Sequence, residues 1–175
     1  MSSKLLLWIC AFLYCITLNA QESASVEKAK FVGNIHVGTE HVEVVLESKP
    51  FIPAEHFQDV ENWKINGRRP IGVDGHEVNP INEIKSMTVS WGGDKIEIPA
   101  AFYNDIYSPA LNEAKAEPLE SSEGIRIIPI HLPGREGKAI MVRMLSRRWV
   151  SAPYCVYWVI CKDGNHLRFV EMLGL

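Results

Sequence analysis

Apolar and polar side chains alternate with period two in three stretches of the chain, and each stretch is broken at its centre by a glycine-containing corner. Phe31, Gly33, Ile35 and Val37 alternate with Val32, Asn34 and His36, and after Gly38-Thr39 the apolar set resumes at Val42, Val44 and Leu46. Such alternation marks a half-buried strand, and a two-residue loop with glycine first suits a type II′ turn. The register that follows sets Ile35 opposite Val42 and Gly33 opposite Val44 on one face. Met87, Val89 and Trp91, then Gly92-Gly93, then Ile96 and Ile98 repeat the pattern, with Val89 facing Ile96. A third hairpin is predicted from Tyr154 to Leu173 around Asp163-Gly164. Its two-residue register puts Trp158 opposite Phe169, Ile160 opposite Leu167 and Cys161 opposite His166. Both faces of the Tyr154 to Lys162 segment are apolar, which predicts a central strand.

Two further strands are expected from Ile125 to Leu132 and from Ala139 to Leu145. Pro129 has no amide hydrogen for a ladder, so the first of these belongs at a sheet edge or carries a bulge. Trp63 and Ile65, between Asn66-Gly67 and the residues before them, suggest one more short strand. Helix is scarce. Pro99 at a first helical position, the spacings Phe102/Ile106 and Tyr103/Tyr107, and the stop at Ser108-Pro109 predict a helix of about two turns. Ala110 to Glu117 offers a second short one. Over residues 31–175 this describes a single domain, mainly β, an antiparallel β-sandwich or open barrel of seven or eight strands with one or two short helices.

The N-terminus differs in kind. Met1 to Lys4 is a short basic start, Leu5 to Leu18 is a nearly unbroken apolar run, and Leu18-Asn19-Ala20 offers small-residue cleavage chemistry, so residues 1–20 read as a secretory signal peptide. The run is shorter than the roughly 20 residues a membrane-spanning helix needs, and no later stretch replaces it. Residues 21–30 are polar and read as a flexible lead-in. Losing the leader removes one lysine and no acid, which moves the net charge from −3 to −4. An acidic excess argues against nucleic acid as a partner. Of four cysteines, Cys10 and Cys15 leave with the leader. Cys155 and Cys161 remain, six residues apart on one predicted strand and therefore about 20 Å apart, too far for a disulfide. So few cysteines, and no Asn-x-Ser/Thr acceptor, suit a periplasmic or extracellular protein of a bacterial envelope.

Candidate chemistry is thin. The first hairpin register places His36 directly opposite His41, with Glu43 on the same face, a weak candidate pair for a transition metal. Two ligands fall short of the three or four that zinc sites use, so no metal, and no other cofactor, is expected. Cys161 beside His166 has the look of a thiol and a base, and His131 is a further isolated histidine; these are the residues that a catalytic reading would draw on. Arg147-Arg148-Trp149 follows a strand and precedes Ser151-Ala152-Pro153. Two guanidiniums beside an indole on a loop form the preferred binding surface. No nucleophile elbow, zinc-protease helix, phosphate loop, dinucleotide turn or Cys-x-x-Cys pair occurs.

The sequence therefore points to an exported non-catalytic binding or accessory module whose partner is an envelope protein or glycan. The alternative is a small exported hydrolase with an unfamiliar site.

Overall fold

A computed structural model describes residues 29–73, 80–112, 122–132, 138–147 and 153–173. Eight strands of four or more residues alternate with tight corners: β1 (Lys30–Val37), β2 (Glu40–Pro50), then, after a short two-stranded excursion of β3 (Gln58–Asp59) and β4 (Lys64–Ile65), β5 (Asn82–Trp91) and β6 (Asp94–Glu97). The second half adds β7 (Gly124–His131), β8 (Lys138–Ser146), β9 (Tyr154–Cys161) and β10 (His166–Met172). Two four-stranded antiparallel sheets result, in the orders β1-β2-β5-β6 and β10-β9-β8-β7. The fold is mainly β, as the alternation predicts.

The sheets face each other across one apolar core. Val42, Val44, Leu46, Met87, Val89 and Trp91 come from the first sheet; Ile140, Val142, Met144, Val156, Trp158 and Ile160 come from the second. Large aliphatic and aromatic groups at every second position leave water together, and that removal is the main favourable term in folding. Along one flank β1 lies beside β7. Gly33 is needed there, because a β-carbon would overlap Ile127 and Phe31.

The first two hairpins have the predicted registers: Ile35 pairs with Val42, Gly33 with Val44, His36 with His41, and Val89 with Ile96. Pro129 lies on β7, which is an edge strand, and β9 is interior. The third hairpin is corrected by one residue. Gly164 donates its amide to Cys161 O at 3.0 Å and Cys161 donates to Asn165 O at 2.8 Å, so Lys162 joins the loop and Gly164, at φ 86°, forms a glycine bulge. His166 therefore pairs with Ile160, Arg168 with Trp158 and Phe169 with Tyr157. Because side chains alternate faces, this slip turns Leu167 and Phe169 outward and Arg168 inward.

The predicted helix is also corrected. Only Ala100–Phe102 winds, as a single 3₁₀ turn after Pro99, matched by another over Pro53–Glu55. Residues 99–112 instead run as a strap across the end of the second sheet, where side chains compete for its carbonyls. Trp158 Nε1 donates to Phe102 O at 2.9 Å, the Tyr154 hydroxyl to Tyr107 O at 2.9 Å, Ser146 Oγ to Ser108 O at 3.1 Å and Ile125 N to Asn112 O at 2.8 Å. Arg168 forms a two-pronged ion pair with Asp105. All four strands of that sheet are thus tied to one segment. Among the described residues, no helix is long and apolar enough to cross a membrane.

Candidate functional site

Two places in the fold hold unusual chemistry, and neither is evident from sequence spacing. The first begins with a bulge. Glu47 pairs with Ser86 but Ser48 pairs with Ile84, so Lys85 is an extra residue in β5. The bulge reverses the alternation below it, sending Ile84 into the core and Glu83 to the opposite face beside Lys49. That face is roofed by a second small apolar cluster of Phe51, Ile65, Val73 and Tyr107. Glu83 is consequently a buried carboxylate.

Its partners are specific. Lys49 Nζ lies 3.0 Å from Glu83 Oε1 and 2.8 Å from Glu55 Oε2, while His56 Nε2 lies 3.3 Å from Glu83 Oε2. The carboxylates of Glu55 and then Glu83 raise the Lys49 ammonium above its usual range. The Glu55 carboxyl is lowered by Lys49. His56 stacks on Phe51 at 4.4 Å between ring centroids, and Phe51 meets the Tyr107 ring edge-on at 5.6 Å. Burial, then the charges of Glu83 and Asp105, push the Tyr107 phenol upward, so it stays protonated.

Glu55, His56 and Glu83 have the donor types of a metal site, with ligand atoms within 4.8 Å of one another. The hydrogen bonds argue against that use. Phe57 N donates to Asn66 Oδ1 at 3.0 Å, which fixes the amide so that Asn66 Nδ2 donates to His56 Nδ1 at 2.9 Å. An imidazole accepting at Nδ1 carries its proton on Nε2, the atom aimed at Glu83. A metal held through Nε2 needs the opposite tautomer. Lys49 already supplies the cation. The same bond covers the nitrogen with which His56 would accept a proton from a nucleophile.

The second place is the outer face of the C-terminal sheet. Registers align Leu167 with Val159, Val159 with Met141 and Met141 with Ile128, an apolar row across four strands spanning about 14 Å. Ile130 and Ala139 extend it on one side. Phe169, beside Tyr157, extends it on the other. Leu167 and Phe169 are each 57% exposed and lie on an edge strand. Met141, Ile128 and Ile130 are half-buried and Val159 and Ala139 are buried, so the accessible apolar surface is concentrated on Leu167 and Phe169, and exposed apolar groups side by side mark an interaction surface.

The residues singled out from the sequence are dispersed. Arg147 is exposed just past β8, its backbone N–H donating to Glu123 Oε1 at 3.2 Å; Arg148 and Trp149 lie outside the described residues. His36 and His41 are exposed with ring centroids 5.5 Å apart, edge-on, and no third ligand-type residue joins them within 4.8 Å among the described residues. Cys161 and His166 are not opposed: His166 packs edge-on to Phe102 at 4.3 Å. His131 is exposed at the end of β7. Cys155 and Cys161 are buried free thiols at opposite ends of β9. No sequence spacing marks Glu83 and His56, because a one-residue bulge leaves no signature in composition, and Leu167 and Phe169 turn outward only because the third hairpin's loop has three residues instead of two.

No family model, curated protein or solved structure matches this chain.

Proposed function

We propose that the protein is an exported, non-catalytic binding or accessory module of the cell envelope, working in the periplasm or outside the cell, and that its partner is an envelope protein docked on the outer face of the C-terminal sheet. The apolar leader supports export. The observation that carries the docking reading is the exposed pair Leu167 and Phe169 on the edge strand β10, from which the apolar row continues inward through Val159, Met141 and Ile128. The Leu167 row itself offers few hydrogen-bond partners to a glycan, whereas a protein partner gains from burying Leu167 and Phe169 and from pairing with the edge of β10. A hydrolase would draw on the Glu83 and His56 pair, and there the required nitrogen is bonded to Asn66.

The test is Leu167→Asp combined with Phe169→Asp, followed by affinity capture from the protein's own envelope extract. Both side chains are more than half exposed, so the thermal midpoint is expected to change little. Partner recovery is expected to fall at least about tenfold, equivalent to about 1.4 kcal/mol. Equal recovery by wild type and variant rejects the proposal.

A further inference from the structure

The β3–β4 hairpin carries a conformational anomaly. Its loop runs through Val60, Glu61, Asn62 and Trp63, and Asp59 opens it by accepting hydrogen bonds from the Asn62 backbone at 3.1 Å and from its amide at 3.0 and 3.2 Å. The chain re-enters β4 through Trp63 at φ 55°, in the left-handed region. Loops ordinarily put glycine or asparagine there, and a bulky aromatic is a genuine outlier. Among the described residues, the other non-glycine positive-φ positions have plain reasons. Asn66 precedes Gly67 in a two-residue turn, and Ser108 is tied on both sides, its N–H to Asn82 O and its carbonyl to Ser146 Oγ. The four-residue loop between paired Asp59 and Lys64 calls for positive φ at its last position, but not for tryptophan there.

Core packing does not account for it either. Trp63 is 49% exposed, and its hairpin neighbours Phe57 and Val60 are 71% and 61% exposed. The strained backbone holds an indole at the surface, and strain of this kind persists where function uses it. Beside the ring is a cleft of about 500 Å³ lined by Glu61, Asn62, Trp63, Arg69, Pro70 and Val73, within the size range of small-ligand sites.

The lining selects the ligand. An indole face takes up C–H-rich surface. Glu61 supplies acceptors, Asn62 its side-chain oxygen, since the amide hydrogens go to Asp59, and Arg69 a planar fork of donors. A purely apolar ligand would leave the polar rim unused, and a simple ion would leave the indole unused. A ring with one C–H face and a rim of hydroxyls satisfies both. We infer that this cleft is a saccharide-binding site in which a sugar ring stacks on Trp63 while its hydroxyls bond to Glu61, Asn62 and Arg69. The site goes beyond the protein-docking reading and does not depend on Leu167 or Phe169.

The experiment titrates the full-length protein with cellobiose, diacetylchitobiose and digalacturonic acid at millimolar concentration, with an oligoproline peptide as a competing class, following tryptophan fluorescence and ligand NMR line widths. Trp91 and Trp158 are buried, so they contribute little to a surface response, and the signal lost in Trp63→Gly separates Trp63 from Trp8 and Trp149. At least one saccharide is expected to bind. Trp63→Gly is expected to abolish that binding while the thermal midpoint stays the same or rises, because glycine adopts positive φ freely. Arg69→Ala is expected to weaken binding by about tenfold or more, and the Leu167→Asp/Phe169→Asp variant to bind as wild type. The inference is overturned if no saccharide binds, if Trp63→Gly binds as well as wild type, or if oligoproline alone occupies the site.

Discussion

The hydroxyl of Tyr154 donates to the main-chain carbonyl of Tyr107 at 2.9 Å, joining β9 to the strap that crosses its end. Burial pushes the Tyr154 phenol upward, so it remains a donor throughout the working pH range. Tyr154→Phe keeps the packing but strands that carbonyl, and a loss of about 1–3 kcal/mol is expected in urea denaturation. Gly72, at φ 93°, abuts the same carbonyl and the Tyr154 ring, so a methyl group there would overlap both. Gly72→Ala is expected to cost more than Tyr154→Phe. The reverse order would mean that the strap yields easily.

Glu40 joins the two sheets through Lys138 at 2.7 Å and through Lys162, and also accepts from Trp91 Nε1 at 3.3 Å. Lys138 first and then Lys162 lower its pKa from 4.5 to about 2. The folded value lies below the unfolded one, so this contribution is fully present above pH 4.5 and is lost as pH falls toward 2. Glu40→Gln should lower the thermal midpoint at neutral pH and flatten its decline across that acid window. The difference should shrink in high salt, because the lysines are exposed. A wild-type acid slope retained in Glu40→Gln would assign the acid sensitivity to other carboxylates.

His36 and His41 face each other on an exposed hairpin but have no third ligand-type residue at hand among the described residues. Zinc titration by calorimetry at tens of micromolar is expected to be silent. A saturable signal that disappears in His36→Ala would establish a metal site on this face.

Arg147 has an exposed side chain and is anchored through its backbone amide, which alanine retains. Arg147→Ala with Arg148→Ala is therefore expected to leave the unfolding free energy within about 0.5 kcal/mol of wild type. Envelope capture then separates two surfaces. Loss of the partner in this variant, with normal recovery by the Leu167→Asp/Phe169→Asp variant, would move the docking surface from the sheet to the loop.

The parts of the fold that could be read from the residues are those where pattern and corner agree. Gly38-Thr39 and Gly92-Gly93 close two-residue loops, so one alignment alone brings Val42, Val44 and Ile96 inward. Asp163-Gly164 was ambiguous in a physical sense: β9 is apolar on both faces, so the pattern did not penalise a slip, and the glycine at the third loop position decided the register. The helical spacing of Phe102, Tyr103, Ile106 and Tyr107 was real, but carbonyls of residues 102, 107 and 108 accept from side chains of the second sheet instead of from the next helical turn. The Glu83 cluster depends on the extra residue at Lys85 and on a covering segment distant in sequence, both tertiary facts.

The strap has a direction as well as a position. Toward the first half of the protein it both gives amide hydrogens, from Tyr107 to Ile71 and from Ser108 to Asn82, and accepts them, at Asp105 O from Ile71 and at Ala101 O from the Arg68 guanidinium. Toward the second half its carbonyls accept, from the Ile125 amide, the Ser146 and Tyr154 hydroxyls, the Trp158 indole and the Arg168 guanidinium. A ribosome makes the first half and the strap before any strand of the second sheet. Every strand of the second sheet is therefore made after the carbonyl that its own hydrogen will meet.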